Sequence, residues 1–391
     1  MTQRVLSERL ARLPPYPLAE IPALRKRLRA EGVDVIDLGA GDADLAPPPE
    51  AVERMTRALQ DPSMSRYPFQ LGYPPFREAV AAWMGRRFGV TLDPYAELLP
   101  LLGSKEGIAH LPLAVLNPGD GVVFPDPGYQ AYRGGAVLAD AEPLGLPLRP
   151  ETEFLIRPWE LDGGVQRRIR MVILNYPNNP TTATAPREYL EEMVAFCRRR
   201  DAVLVHDHAY SEIAFDGYRP PSILEIPGAR EVSVEFHSCS KTFNMTGWRL
   251  GWVAGNRELV GALSRVKTFV DTGVFKAVQA GGVGALESYE AWFPENLAVF
   301  RRRRDAAVEA FRDAGFEVSR PRATMYLWIP LPRGVDGAAF TRRALQESGV
   351  VVLPGSALGE GGEGFFRVAL TVPEARLVEA ARRLSRFAPG P

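Results

Sequence analysis

Between residues 45 and 290 short apolar runs alternate with segments of helical period, and that alternation leaves few folds open to the chain. Gly121–Phe124, Met171–Leu174, Ala202–Val205 and Val232–Phe236 each read as a buried strand. Turn residues bound them, such as Asn117-Pro118-Gly119-Asp120 and Asn178-Asn179-Pro180. A strand that is apolar throughout has to be covered on both faces. The segments between supply the cover: across Pro186–Arg200, Leu190, Met193, Val194 and Cys197 fall on one helical face. The pattern predicts an α/β fold around a mostly parallel sheet with helices on both sides.

The flanks differ. Residues 1–44 hold a Pro-rich start and a basic amphipathic helix, Ile21–Arg29. From about 291 a long charged helix begins, and its run Arg301–Arg304 reads as a solvated face. Strand-like pieces at Met325–Ile329, Val350–Leu353 and Phe366–Leu370 are spaced by helices at Ala338–Gln346 and Glu374–Phe387. The expected organisation is a large domain at 45–290 and a smaller α+β domain at 291–391, joined by 1–44. With 391 residues, both units can bury a core.

Charge excludes some partners. Lys+Arg and Asp+Glu are equal at 47, so no net field draws in nucleic acid or an acidic membrane. No run reaches the length of a membrane span and the first residues lack a signal-peptide core, so the cytoplasm is expected. Cys197 and Cys239 form neither a disulfide framework nor a zinc pattern. His206 and His208 could begin a metal site, but no further ligand stands nearby in sequence, and no metal is expected. Basic charge is carried mostly by arginine, so amines able to form a Schiff base are few.

One of them, Lys241, lies in Ser238-Cys239-Ser240-Lys241-Thr242-Phe243-Asn244-Met245-Thr246-Gly247-Trp248-Arg249, just past a strand's carboxyl end, where open α/β sheets place ligands. Ser238, Ser240 and Arg249 could gather on one phosphate, and such neighbours would depress the lysine's pKa toward a nucleophilic amine. A surface lysine in a polar loop is the plainer reading. Gly103-Ser104-Lys105-Glu106-Gly107 opens a helix and offers N–H groups to an anion, or simply a cap. Asp207 ends a strand, where its carboxylate could pair with a pyridinium nitrogen or cap the next turn. Tyr210, three residues on, could reach the same ring's oxygen. Asn179 offers an amide, and Tyr129 an aromatic face or ordinary packing. Arg367 sits in an apolar strand, a costly place for a charge without a partner. That partner is a substrate carboxylate or an internal acid.

Taken in order, Gly103–Gly107, Asn179-Pro180-Thr181, Asp207-x-x-Tyr210, Ser238-x-Ser240-Lys241, Arg249 and Arg367 resemble the class I/II aminotransferases of fold type I, across nearly the whole chain. Asp37–Asp42, Gly103–His110, Pro125–Tyr129 and Asp271–Ala277 are similar to the LL-diaminopimelate and N-succinyl-diaminopimelate aminotransferase branch of lysine biosynthesis. The resemblance implies pyridoxal 5′-phosphate held as a Schiff base on Lys241, with Asp207 at the ring nitrogen. It implies Asn179 and Tyr210 at the ring oxygen and Tyr129 stacked on the ring. The phosphate would lie among Ser104, Lys105, Ser238, Ser240 and Arg249, with Tyr67 reaching the phosphate of a neighbouring subunit in a homodimer. Arg367, beside Gly41 and Asn179, would take the carboxylate of an amino acid, with a 2-oxo acid such as 2-oxoglutarate as acceptor. Aspartate, alanine or aromatic aminotransferases, and carbon–sulfur β-lyases, share these features. Two positions depart from the pattern. Ala43 stands for a common proline, and Thr182 for a common glycine, so the loop there is expected to turn differently.

Overall fold

The computed structural model describes residues 6–13, 20–69 and 72–388; the Pro-rich start lies outside them. Among the described residues twelve strands form three sheets. In chain order they are β1 (Ile36–Asp37), β2 (Leu98–Leu101), β3 (Gly121–Asp126), β4 (Glu142–Pro147), β5 (Ile169–Leu174) and β6 (Val203–Asp207). Then come β7 (Ser233–Ser238), β8 (Gly251–Gly255), β9 (Tyr326–Pro330), β10 (Val350–Val351), β11 (Leu353–Pro354) and β12 (Phe365–Ala369). The central sheet has the order β2-β8-β7-β6-β5-β3-β4, and only β8 runs antiparallel to its neighbours.

The continuous apolar strands are explained by two cores, one on each face of that sheet. Along β5, Val172 and Leu174 enter one core with Met193, Val194 and Cys197 of the Arg187–Arg200 helix. Met171 and Ile173 enter the other with Ile108 and Leu111 of the Ser104–Val115 helix. Alternate residues of a strand face opposite ways, so a strand covered twice carries no polar stripe. The sheet is thus legible, although β2, β4 and β8 were not foreseen. Pro100 interrupts β2, proline and glycine interrupt β4, and β8 is short with glycine at both ends.

A further core joins the two ends of the chain. Ile36 and Leu38 pack with Leu327, Ile329, Val350, Phe366, Val368 and Leu377. There β11, β12 and β9 form an antiparallel sheet, and β1 pairs in parallel with β10. The stretch expected as one strand at Val350–Leu353 is therefore split between two sheets.

The arginine run departs from expectation. Arg301 and Arg302 are exposed, but Arg303 and Arg304 are buried on the long helix Tyr289–Asp313. Arg303 makes two hydrogen bonds to Asp44, at 2.6 and 2.9 Å, and a third to the Leu370 carbonyl. Arg304 reaches Asp216 and the Pro321 carbonyl, with its guanidinium 4.5 Å from the Phe215 ring centre. A helix meeting two parts of the chain buries a second stripe, and arginine's stem fills it while the fork finds acceptors. Asp216 is exposed, so its ion pair adds little; lost packing and an orphaned carbonyl set the cost. Arg304→Met is expected to lower unfolding stability by about 1–3 kcal/mol in urea titration. Arg301→Met should change it by less than about 0.5 kcal/mol.

Candidate active site

The carboxyl ends of β3, β5, β6 and β7 open on one cavity of about 350 Å³, at the lower end of ordinary ligand-pocket volumes. Its walls carry Gly41, Ser104, Lys105, Tyr129, Asn179, Asp207, Tyr210, Ser238, Ser240, Lys241, Arg249 and Arg367. Every candidate residue except Tyr67 is thus gathered there, from widely separated stretches of sequence. Tyr67 lies outside, 73% exposed.

One end of the cavity is built for an anion. The Ser104–Val115 helix points its free N–H groups there. Arg249 crosses its entrance, with Nη2 3.3 Å from the Leu102 carbonyl and Nη1 2.8 Å from that of Thr246. Gly103 holds φ +77°, and a Cβ on it would come within 2.5 Å of the Arg249 guanidinium, so only glycine permits this approach. Ser238 caps the short turn Cys239–Thr242 by accepting from the Ser240 N–H at 3.2 Å, which brings both serines beneath the same arginine.

The opposite end holds a second cation. Arg367 is 5% exposed, donates to Asn179 Oδ1 at 2.7 Å and to the Gly39 carbonyl at 2.8 Å, and stacks 4.1 Å over the Tyr326 ring. No Asp or Glu among the described residues pairs with it, so the internal-acid alternative is not met. A buried guanidinium held by neutral acceptors keeps its charge available to a carboxylate.

Between them lies Asp207. Its Oδ2 accepts from the Tyr132 hydroxyl at 2.7 Å, while Oδ1 is buried without a hydrogen-bond partner. Burial pushes its carboxyl pKa up, against the pull of the Tyr132 hydrogen bond and nearby histidines. Asn175 fixes the strand end by donating to the Asp207 carbonyl at 2.8 Å and accepting from the Asn179 N–H at 2.9 Å. Lys241 reaches across to the Gly41 carbonyl. Tyr210 and Tyr326 place their hydroxyls 3.0 Å apart, and Tyr326 fills the space a Cβ at Gly41 would need. Tyr132, Asn175 and Tyr326 were not foreseen as site residues.

At the position of the expected glycine, Thr182 takes up the left-handed backbone that threonine disfavours. Thr182 adopts φ +64° and donates its N–H to the Asn178 carbonyl at 2.9 Å. The left-handed conformation is kept at the expense of about 1–2 kcal/mol in a β-branched residue.

The comparisons agree with this geometry. The family model for aminotransferase class I and II matches residues 33–384. The chain belongs to the class I and II aminotransferases. It is 48% identical over 380 residues to an LL-diaminopimelate aminotransferase of Desulforudis audaxviator, covering 97% of each chain. It is 46% identical to one from Aquifex aeolicus, over 97% of this chain and 98% of that one. Among solved structures it resembles substrate-bound BacF from Bacillus subtilis at a TM-score of 0.93 and 31% identity, covering 98% and 97%. A structure from Thermus thermophilus described as a probable N-succinyldiaminopimelate aminotransferase gives 0.89 and 38%, covering 94% and 98%. Among the described residues no helix is long and apolar enough to cross a membrane.

Aminotransferases of this class use pyridoxal 5′-phosphate to move an amino group between an amino acid and a 2-oxo acid. The unpartnered Oδ1 of Asp207 is the observation that tests the fit: a protonated ring nitrogen would supply the donor and the positive charge this buried atom lacks. Without that partner the raised carboxyl pKa makes folding favour the protonated acid. Stability of the cofactor-free protein therefore falls as pH rises from the ordinary carboxyl range through the folded value. Asp207→Asn is expected to raise the melting temperature of the cofactor-free aminotransferase at pH 7. It should also weaken pyridoxal phosphate binding at least about tenfold, read by fluorescence titration. A lower melting temperature for the variant would contradict this account of Asp207.

Proposed function

We propose that the chain is an LL-diaminopimelate aminotransferase of lysine biosynthesis, acting as a cytoplasmic homodimer with 2-oxoglutarate as amino acceptor. Full-length likeness to relatives of that name carries the substrate. The buried, acid-free Arg367 carries the carboxylate site. The same reading divides the chain into a large domain at 45–290 and a smaller one from 1–44 and 291–391, in keeping with the core shared by Ile36, Leu38, Phe366 and Val368.

Pyridoxal phosphate, when bound, supplies an electrophilic carbon for the substrate amine and a ring that accepts electrons from the α-carbon. The remaining work belongs to the chain. Ser104, Lys105, Ser238, Ser240 and Arg249 would hold the phosphate, and Tyr129 would pack against the ring. Asp207 would keep the ring nitrogen protonated. Tyr210 and Asn179 would hydrogen-bond the ring oxygen. Arg367 and Asn179, with Gly41 leaving room, orient the substrate carboxylate and so fix which α-bond breaks. Lys241 would hold the cofactor through its Nζ, and that amine, once free, would take the α-proton and return it.

The homodimer rests on surface. Tyr67, Phe69, Phe269, Val270 and Phe275 are all exposed, and the Tyr67 and Phe69 rings meet at a tilt, 5.8 Å apart. Gly273 lies against the Phe69 carbonyl, which brings the 271–275 loop and the 67–69 stretch together. Apolar exposure of this kind marks a protein interface. Arg249 is itself exposed in the single chain, so a partner covering this face would close the phosphate end. Sedimentation velocity is expected to give about twice the 43.1 kDa chain mass, and a monomer at micromolar concentration would refute the dimer.

The assignment is tested by a panel of amino donors with 2-oxoglutarate. LL-diaminopimelate is expected to exceed aspartate, alanine and aromatic amino acids by at least about tenfold in kcat/KM. Release of pyruvate from cystathionine without an oxo acid would instead mark a β-lyase. Borohydride should fix the cofactor to the Lys241 peptide, and Lys241→Ala should abolish the label and lower kcat by about 10²–10⁴-fold.

A further inference from the structure

His206, the residue before Asp207, points to the other side of the sheet. The register of β6 and β7 sets it beside Glu235, and both are 0% exposed. Sequence distance hid this meeting, since Glu235 and His237 come from the next strand. Glu235 Oε1 accepts from the Ser222 hydroxyl at 2.8 Å and lies 2.7 Å from His237 Nε2. Its Oε2 accepts from the Ile223 N–H at 2.8 Å and lies 3.0 Å from His206 Nδ1. The other nitrogen of His206, Nε2, lies 3.0 Å from the Tyr176 carbonyl oxygen.

A carbonyl oxygen and an ionised carboxylate only accept hydrogen bonds, and a neutral imidazole has a single N–H to give. Both nitrogens of His206 face acceptors, so both must carry protons. Glu235 is ionised: the Ser222 hydroxyl donates to one of its oxygens and the Ile223 N–H to the other. Burial opposes its charge, but the hydrogen bonds from the His206 and His237 rings hold its pKa well below the ordinary range. We infer that His206 is a buried imidazolium, paired with Glu235, and is a positioning residue for the loop that carries Asn179 into the substrate-carboxylate site. The path is short: His206 fixes the Tyr176 carbonyl, three residues later Asn179 Oδ1 accepts from Arg367, and Arg367 faces the cavity. The positioning role rests on the assignment of Arg367 above; the protonation state does not.

A metal ion is the competing occupant. His206, His208 and Glu235 place ligand atoms within 4.8 Å of one another, spacing that zinc accepts. Charge decides against it. A proton on His206 leaves the pair neutral, whereas a divalent ion with one carboxylate and two neutral imidazoles leaves an uncompensated positive charge in a closed interior. His208 is neutral, its pKa pushed down to about 3 by burial.

The chain has four histidines, so ¹⁵N-labelled imidazoles can be resolved in the holoenzyme. At neutral pH the His206 ring is expected to bear an N–H on each nitrogen, with the signal identified by its loss in His206→Gln. A singly protonated His206, or one equivalent of metal in the purified holoenzyme, overturns the protonation assignment. His206→Leu should raise KM for the amino donor about tenfold with a smaller change in kcat. His206→Gln, which keeps a donor toward Tyr176, should recover most of that loss. An unchanged KM in His206→Leu overturns the positioning role. If Arg367→Lys also leaves KM unchanged, it is the carboxylate site that fails, while the nitrogen spectrum stands.

Discussion

A carboxylate buried without its counter-charge governs this structure. Asp207 ends a parallel strand deep in the sheet, with Oδ2 satisfied by Tyr132 and Oδ1 without a hydrogen-bond partner among the described residues. A fold selected for stability alone would place an amide or an apolar residue there. The cost is tolerated because Asn175 clamps the strand end and two cores grip the sheet on both faces. What the chain leaves unpaired, the cofactor completes. Stability and function therefore meet in one atom, and binding becomes part of folding energetics.

The sheet also explains why the other groups converge. In a parallel arrangement successive strands deliver their carboxyl ends to one edge, so Tyr129, Asn179, Asp207 and Lys241 become neighbours though far apart in sequence. Arg367 comes from β12 of another sheet, and its contacts with Asn179 and the Gly39 carbonyl tie that sheet to the cavity. The two arginines stand in different surroundings. Arg249 is open to solvent and Arg367 is enclosed, which suits a phosphate retained by many donors and a carboxylate that must arrive, be aligned and leave.

What sequence could reveal follows from this geometry. Doubly buried strands announce themselves as apolar runs, and the ligand residues follow within a few positions of each run's end. Lys241, Asp207 and Asn179 were therefore legible, each from a strand end and all together from their order. Tyr132 and Tyr326 were not, because a tyrosine inside a helix or strand looks like packing until its hydroxyl is seen against Asp207 or Tyr210. Arg303 and Arg304 misled for the converse reason. A run of four arginines reads as solvated, yet a helix touching two parts of the chain buries half of it. Thr182 misled through the backbone: the loop's hydrogen bonds outweigh one residue's aversion to positive φ.

The same logic extends to the charges behind the sheet. Glu235 is buried as completely as any apolar core residue, and an isolated carboxylate there would cost several kcal/mol. It persists because serine, backbone and imidazole donors surround it, and because one of those imidazoles returns a full positive charge. On one side of the strand the neutralising cation is built in as His206; on the other, at Asp207, it is left to the cofactor. Adjacent residues of a single strand thus meet the same electrostatic demand in opposite ways. Only the one facing the cavity is free to make its neutralisation conditional on a ligand.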